Sequence, residues 1–264
     1  MEKLKISVIT PSLNQGKYIE ECILSVLNQG YDNFDHIIID GGSTDNTLTV
    51  LRKYKHLIWV SEPDEGQSDA INKGFKMASG EIIGWLNADD RYLPGTFYSV
   101  AEYMSRWPDV DLIYGDYRWI DAEDRVIKLR KEIHFDLFIL KYLHVLYIPS
   151  TATFFRRRII DEGNFLREDF HYAMDYEWFL RLAMKGYRFR HVKQFFADFR
   201  WHEESKSFRQ RELQRKEQER ALLMHDPFLI RFSHDRLRSL IRAGLMIAAR
   251  AKRTAIKIAE GCYW

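Results

Sequence analysis

The chain has 264 residues, 46% of them hydrophobic, which is enough for one substantial core but short for two full domains. Its 40 basic and 38 acidic residues give a formal net charge of +2, which argues neither for nor against an anionic partner. We expect no nucleic acid partner. Two cysteines are too few for a disulfide framework, so we expect a reducing compartment.

Positive charge is concentrated near the C-terminus. Residues 228–264 contain eight Lys or Arg and two acidic residues, which leaves a net charge of −4 on residues 1–227. The first residues lead into a β-rich run without a signal-peptide cleavage site, and no window of about 18 apolar residues predicts a membrane-spanning helix. We therefore expect a cytoplasmic protein, peripheral on the cytoplasmic face of the inner membrane.

Strand and helix patterns alternate over the first 90 residues, where each short β-branched run is followed by turn residues and then by apolar residues at helical spacing. This alternation predicts right-handed βαβ crossovers and an α/β fold with a mostly parallel, doubly wound sheet. Ligands bind such sheets at the carboxyl ends of the strands, so the polar residues after each strand should converge on one cleft. The predicted strands are 5–10, 36–40, 57–60 and 81–86, and the predicted helices are 19–27, 44–54 and 67–78.

The pattern becomes mixed after residue 95. It predicts an α+β half at 96–227 and a helical tail at 228–264, in which basic and apolar residues are interleaved. The predicted strands of this half are 111–117 and 126–129, and the predicted helices are 135–142 and 172–185.

Two adjacent carboxylates, Asp89 and Asp90, follow the fourth strand directly in the sequence Asn-Ala-Asp-Asp. Adjacent carboxylates repel each other unless a cation or hydrogen-bond donors are close. Mg²⁺ or Mn²⁺ prefers oxygen ligands and commonly shares its coordination shell with phosphate. A solvated turn in which one Asp caps a helix also explains the pair, so the pair alone does not establish a metal site.

A second polar segment, residues 40–45 (Asp-Gly-Gly-Ser-Thr-Asp), follows another apolar strand. Its glycines allow a ligand to approach the backbone, and Asp40 could accept hydrogen bonds from a base or a ribose. An ordinary turn with a helix cap is an equally good interpretation. The segment lacks the spacing of a dinucleotide-binding loop and the Gly-Lys-Ser/Thr of a P-loop, which excludes those two sites.

Five motifs, in this order and spacing, resemble glycosyltransferase family 2, whose members have the GT-A fold. The resemblance covers residues 5 to about 205 and implies an inverting, metal-dependent transfer from a nucleotide-diphosphate sugar, expected to be a UDP-sugar. The acceptor implied is a hydroxyl of a glycan or of a lipid-linked acceptor in cell-surface polysaccharide synthesis. Residues 1–95 would then bind the nucleotide sugar and residues 96–227 the acceptor. The motifs are 8–14 (VITPSLN), 39–45 (IDGGSTD), 62–67 (EPDEGQ), 69–74 (DAINKG) and 87–90 (NADD).

The resemblance also implies roles for individual residues on the donor side. Asp40 matches the acidic residue that holds the nucleobase. Asn87 stands where the family's DxD element has its first Asp, and its amide can hydrogen-bond a ribose hydroxyl but carries no charge. The donor-binding residues implied are Pro11, Ser12, Asn14, Asp40, Gly41, Ser43, Asp69, Asn87 and Asp89.

The metal and the catalytic base are assigned from the same resemblance. Mn²⁺ or Mg²⁺ would bind Asp89 and Asp90, with His202 of an Arg-x-His segment as a further ligand, although a lone histidine is more often structural. Asp175 matches the base that deprotonates the acceptor, while an Asp at a helix start is usually a cap. Glu177 is the second candidate, but two residues further along a helix it should point elsewhere.

Two basic segments have open interpretations. Arg156, Arg157 and Arg158 could pair with a lipid-linked diphosphate or form a solvated turn. The tail predicts an amphipathic helix on an anionic membrane surface, or else a helix packed on the catalytic domain with a solvated basic face.

Two other functions compete with sugar transfer. A nucleotidyltransferase is disfavoured because the first loop lacks the Gly-rich, basic sequence typical of that class. An inactive nucleotide-sugar-binding or assembly partner is disfavoured because Asp89, Asp90 and Asp175 are all present.

Overall fold

A computed structural model describes residues 3–143, 146–202, 210–226, 228 and 235–262. Within these residues nine strands form one sheet in the order β3-β2-β1-β4-β8-β6-β9-β5, and β7 pairs with β6 beside this path. The strands are β1 (Ile6–Ser12), β2 (Phe34–Asp40), β3 (Leu57–Ser61), β4 (Ile82–Trp85), β5 (Arg91–Tyr92), β6 (Leu112–Ile120), β7 (Val126–Arg130), β8 (Thr153–Arg156) and β9 (Phe189–Arg200).

The helices cover both faces of the sheet. One buried apolar cluster includes Phe75 and Trp178, and a second, on the other face, includes Cys22 and Phe97. The helices are α1 (Ile19–Leu27), α2 (Thr47–Leu51), α3 (Gln67–Met77), α4 (Thr96–Arg106), α5 (Leu137–Tyr142), α6 (Arg158–Asp161), α7 (Met174–Met184), α8 (Arg211–His225) and α9 (Asp235–Ala259). The predicted α/β class is confirmed.

The first four strands form the parallel, doubly wound half. β1 pairs in parallel with β2 on one side and with β4 on the other, and β3 extends the sheet beyond β2. The chain order therefore reverses direction between β1 and β4, which is where ligands bind such sheets. The loops after Ser12 and after Trp85 leave the sheet side by side at this edge.

The second half of the sheet is mixed, as the sequence predicted, but three of its strands, β5, β8 and β9, were missed. β8 is antiparallel to both β4 and β6, and β9 runs parallel to β6. β8 has only four residues and lies in the segment 147–158, whose arginines suggested a surface turn. Pairing across distant segments, rather than the local pattern, makes this segment a buried strand.

Two of the three arginines at the end of β8 make structural contacts. Arg156 donates to the carbonyls of Val110, Met104 and Trp107 at and after the end of α4, and Arg158 pairs with Asp111. Cations bound to helix C-terminal carbonyls satisfy acceptors that the helix itself leaves open. Arg156 and Arg158 are thus engaged within the protein, and the diphosphate contact of the segment stays a prediction.

The tail packs on the catalytic domain as the long helix α9. The predicted tail residues 229–234 and 263–264 lie outside the described residues. Ile241, Leu245, Ala249 and Ile256 contact the core of the α3 and α7 face. Among the described helices, none is long and apolar enough to cross a membrane.

For a tail helix packed on the domain, the sequence predicted a solvated basic face. Several cations of α9 instead face the domain. Three inward ion pairs are Arg242 with Glu219, Lys252 with Asp136 and Arg253 with Glu132. The face turned to solvent is apolar instead: Leu240 is 72% exposed, Ile247 67% and Ile258 68%.

Candidate functional site

A pocket of about 340 Å³ lies at the reversal point, between the loops that follow β1 and β4. Its opposite wall comes from the mixed half, at the start of α7 and the end of β9. It is lined by Pro11, Ser12, Leu13, Gln15, Asp64, Gln67, Ala70, Trp85, Asn87, Ala88, Asp89, Ser150, His171, Tyr172, Met174, Asp175, Phe199, His202 and Gln214.

The structure brings about half of the predicted site residues to this pocket. Those that line it are Pro11, Ser12, Asn87, Asp89, Asp175 and His202. Those that do not line it are Asn14, Asp40, Gly41, Ser43, Asp69 and Asp90.

Asp40 is completely buried beneath the loop that follows β2. Its carboxylate accepts hydrogen bonds from Ser43 N, Ser43 Oγ and Ser61 Oγ at 2.9, 2.5 and 2.7 Å. A carboxylate that accepts this many donors fixes the local backbone. Asp40 therefore shapes the loop, and a nucleobase contact for it stays a prediction.

Asn14 and Ser43 connect the loops after β1 and β2. Asn14 has a positive φ of 52°, a conformation that Asn tolerates better than most residues. Its backbone N–H donates to Ser43 Oγ at 2.7 Å, and its side-chain Oδ1 accepts from Thr44 N at 2.9 Å. Asp69, on α3, pairs with Lys73 at 3.2 Å. None of these three residues lines the pocket, and their contacts with the donor stay predictions.

Asn87 lies at the centre of a polar network under the pocket floor. Its Oδ1 accepts from Trp85 Nε1 at 3.0 Å and from Gln67 Nε2 at 3.1 Å, and its Nδ2 donates to Asp90 Oδ2 at 3.3 Å. An aspartate could accept the first two hydrogen bonds but could not donate to a second carboxylate. This geometry explains why an amide stands at the first position of the motif.

Asp90 is 2% exposed and turned into the protein. It accepts hydrogen bonds from Thr151 Oγ1 at 2.5 Å and from Arg200 N at 2.9 Å. Burial, together with the neighbouring charge of Asp89, raises the pKa of Asp90 well above its ordinary value. Its metal role stays a prediction that would require these donors to rearrange.

Asp89 and His202 form the polar pair that faces the pocket. Asp89 Oδ2 and His202 Nε2 are 3.0 Å apart. The buried guanidinium of Arg200 fixes the backbone beside them, because it donates to the Asp89 carbonyl at 2.9 Å and to Glu21 and Asp124 at 2.7 Å each.

A carboxylate and an imidazole together fit Mn²⁺ well, and Mg²⁺ less well because Mg²⁺ prefers oxygen ligands. Across the described ranges, no cluster of three or more acidic, Cys or His side chains is arranged to hold a metal. A divalent ion at Asp89 and His202 would thus take its other ligands from phosphate and water.

Asp175 lies in the first turn of α7, on the opposite wall of the pocket. Burial raises its pKa to about 6, although the Tyr176 N–H donates to Asp175 Oδ1 at 2.8 Å and opposes the shift. Glu177, the second candidate for the base, is fully buried and pairs with Arg181 and His225 at 2.8 Å each. It points away from the pocket, as helix geometry predicted.

Glu217 of α8 holds the loop that carries this wall, a role that the sequence analysis did not predict. Its carboxylate accepts from the backbone N–H groups of His171, Tyr172 and Ala173 at 2.9, 2.7 and 2.8 Å. These groups lie just before α7, where helix N-termini leave N–H donors unsatisfied. Nothing in the charged sequence of α8 distinguishes Glu217 from its neighbours.

Other lining residues were also missed as site residues. Gln67 and Asp64 belong to motifs of the resemblance but received no role, whereas Trp85, Tyr172 and Gln214 carry no local signal. Their positions depend on which segments meet across the sheet.

Comparisons with known proteins agree with this geometry. The family model described as Glycosyl transferase family 2 matches residues 7–163. A PGL/p-HBAD biosynthesis glycosyltransferase of Mycobacterium bovis is 34% identical over 131 residues, which is 45% of this chain and 51% of the relative. A glycosyltransferase of Mycobacterium tuberculosis is 32% identical over 187 residues, covering 68% of this chain and 69% of the relative. The chain thus spans about half the length of the first of these relatives.

Two solved structures show the same fold. TarS 1–349 of S. aureus in complex with UDP-GlcNAc aligns with a TM-score of 0.66 and 19% identity over 92% of this chain and 70% of that chain. The mannosyltransferase PcManGT of Pyrobaculum calidifontis, in complex with GDP-Man and Mn²⁺, aligns with a TM-score of 0.65 and 18% identity over 98% of this chain and 76% of that chain. The GT-A fold prediction is confirmed.

The three hydrogen bonds of Glu217 predict a measurable loss of stability. Glu217→Ala should lower the free energy of unfolding by about 1–3 kcal/mol, because it leaves partly buried N–H groups without their acceptor. Glu212→Ala, on the same helix, removes an exposed pair with Lys216 and should cost under about 1 kcal/mol. Urea denaturation of both variants measures the difference, and equal effects would show that Glu217 does not hold the loop.

Proposed function

The chain belongs to glycosyltransferase family 2, and from this premise we propose that it transfers a sugar from a nucleotide-diphosphate sugar to an acceptor hydroxyl, with inversion at the anomeric carbon. The observation that carries the proposal is the convergence of two chemically different groups in one pocket. Asp89 and His202 form a pair suited to a cation and a diphosphate, and Asp175, on the opposite wall, is a carboxylate with a raised pKa.

Asp175 acts as the general base. Its carboxylate takes the proton of the acceptor hydroxyl while the acceptor oxygen bonds to the anomeric carbon and the bond from that carbon to the diphosphate oxygen breaks. With a pKa of about 6, Asp175 is mostly ionised at neutral pH and is a stronger base than an ordinary aspartate. The only other acidic candidate on this helix turn, Glu177, is held in ion pairs with Arg181 and His225.

Asp89 and His202 hold the leaving-group end of the donor. Mn²⁺ or Mg²⁺ bound to them would neutralise the negative charge of the departing diphosphate. Arg200 keeps the Asp89 backbone fixed, so the carboxylate is oriented before substrate arrives. Asn87 lies beside this pair and can hydrogen-bond a hydroxyl of the donor.

The donor class is proposed as a UDP-sugar and the acceptor as a glycan or a lipid-linked acceptor in cell-surface polysaccharide synthesis. The UDP-GlcNAc complex of TarS supports a UDP-sugar, while the GDP-Man complex of PcManGT keeps a GDP-sugar as the alternative. The mycobacterial relative is named for PGL/p-HBAD biosynthesis, and the lipid-linked acceptor is taken from the family resemblance.

Calorimetry of nucleotide binding tests the donor site. UDP, GDP and dTDP are titrated with and without Mn²⁺ into wild type, Asp89→Asn and the control Glu123→Gln, an exposed carboxylate outside the pocket. We expect one nucleotide to bind with a Mn²⁺-dependent gain, and Asp89→Asn to lose about 10- to 100-fold in affinity, since it removes the charged ligand. If wild type binds no nucleoside diphosphate with Mn²⁺, the chain is not an active transferase.

The raised pKa of Asp175 predicts the pH dependence of transfer. The base works in its ionised form, so kcat/KM should fall about tenfold per pH unit below pH 6 and level off above it. Asp175→Asn should lower kcat by about 10²- to 10⁴-fold and leave nucleotide affinity within about threefold. Initial rates from pH 4.5 to 8 measure the profile. If Asp175→Asn keeps residual activity and its rate still falls below pH 6 as in wild type, the fall is caused by the titration of another group.

Peripheral membrane association is proposed through the outer face of α9 rather than through its cations. Leu240, Ile247 and Ile258 share this face, and three large exposed apolar side chains on one helix face mark an interaction surface. The cations Arg242, Lys252 and Arg253 are engaged with the domain. The attachment should therefore depend more on apolar contact than on anionic lipid.

Vesicle sedimentation tests this attachment. Wild type is mixed with phosphatidylcholine vesicles and with vesicles that contain added phosphatidylglycerol. The bound fraction should fall severalfold for Leu240→Gln/Ile247→Gln on both vesicle types and stay unchanged for Leu213→Gln, which alters an exposed leucine on α8. If wild type binds only the vesicles that contain phosphatidylglycerol, the attachment depends on the cations. If wild type binds neither vesicle type, the proposed membrane association is wrong.

A further inference from the structure

β3 forms one edge of the sheet. It pairs in parallel with β2 on its inner side, and among the strands that the structure describes none pairs with its outer side. An edge strand presents backbone N–H and C=O groups to which another chain can pair, and proteins commonly protect such edges with charged residues or Pro inside the strand. β3 has the sequence Leu-Ile-Trp-Val-Ser and contains neither.

The apolar row beneath α3 continues onto β3, where it is no longer covered. Ile58 pairs in register with Ile37, and Val60 with Ile39, so all four side chains lie on the same face of the sheet. Ile37 and Ile39 are buried in the core on the α3 face. Ile58 is 43% exposed and Val60 36%. A strand added beside β3 would cover these two side chains.

The segments that flank β3 carry opposite charges. Lys53 and Lys55 precede the strand, and three acidic residues follow it between positions 62 and 65. Lys55 and Glu65 are exposed, and neither forms an ion pair with a residue that the structure describes. Two antiparallel copies of β3 would bring the basic end of each strand beside the acidic end of the other, whereas two parallel copies would align like charges.

β7 is another exposed edge of the sheet, and its sequence opposes self-pairing. Its apolar residues Val126, Ile127 and Leu129 are exposed, but Lys128 and Arg130 lie among them within the strand. Two β7 strands paired about their centre would place the two copies of Lys128 opposite each other, which is destabilising. Of these two edges, only β3 has a sequence that complements a second copy of itself.

We propose that two copies of this chain pair through β3, antiparallel and about a two-fold axis, so that one sheet continues across a dimer. The same strand of each copy then forms the interface, as two-fold symmetry requires. With the axis at Trp59, Ile58 of one copy lies opposite Val60 of the other, on the α3 face. Two strands of five residues each bury less area than a standard interface, so the dimer should be weak and concentration dependent.

Sedimentation velocity over a concentration series of the full chain measures this dimer. Wild type should pass from monomer to dimer as its concentration rises, with a Kd in the micromolar range. Ile58→Lys/Val60→Lys should raise the Kd at least about tenfold, because it places lysines of the two copies opposite each other. Ile127→Lys/Leu129→Lys makes the same change on β7 and should leave the Kd within about twofold. Urea denaturation checks that both variants fold.

Charge reversal tests the antiparallel orientation and leaves the apolar residues in place. Lys55→Glu alone, or Glu65→Lys alone, should raise the Kd about two- to fivefold, the range for exposed ion pairs. The double variant exchanges the two charges and should recover most of the loss, because each new Glu then lies near the new Lys of the other copy. Losses that simply add in the double variant would contradict the antiparallel pairing.

The outcomes separate this dimer from other contacts. If wild type stays monomeric throughout the series, or if Ile58→Lys/Val60→Lys dimerises as strongly as wild type, pairing through β3 is wrong. A dimer that persists in that variant but is lost in Leu240→Gln/Ile247→Gln is formed through α9 instead. The proposed sugar transfer does not depend on these results, since nucleotide binding tests it separately.

Discussion

The pocket depends on the buried guanidinium of Arg200, which joins the two halves of the sheet at the point where they meet. Arg200 ends β9 in the mixed half, yet it donates to Glu21 after β1 and to the carbonyl of Asp89 after β4. Burying a guanidinium costs several kcal/mol unless its donors are paired. Here Glu21 and Asp124 supply the compensating charges, so the loop that carries Asp89 is held by an interaction that is costly to break.

The same residue gives two adjacent carboxylates different environments. The backbone N–H of Arg200 donates to Asp90, and this hydrogen bond keeps Asp90 inside the protein beside Thr151. Asp89 is left facing the pocket next to His202, two residues beyond Arg200 on the same segment. One short motif therefore places two carboxylates in different environments: Asp90 is buried among hydrogen-bond donors, and Asp89 lines the pocket.

The elements that depend on local sequence patterns were predicted from the sequence. The elements that depend on pairing between distant segments were missed. β1 to β4 and the residues after them were predicted because each strand carries its own apolar period and turn. β8 was missed because antiparallel pairing with β4 and β6 makes its four residues a strand. The inward cations of α9 were missed because helical periodicity cannot show which face of a helix meets the domain.

The two walls of the pocket divide the chemistry between the two halves of the fold. The parallel half contributes Asp89, which lies at the end of β4 and whose loop is held by Arg200 of the mixed half. The proposed base Asp175 depends instead on the contact between α7 and α8, through Glu217. The proposed nucleotide contacts and the proposed base thus lie on separate elements. Arg200, His202 and Thr151 of the mixed half all contact the donor side, so the two halves of the fold share the support of the Asp89–Asp90 loop.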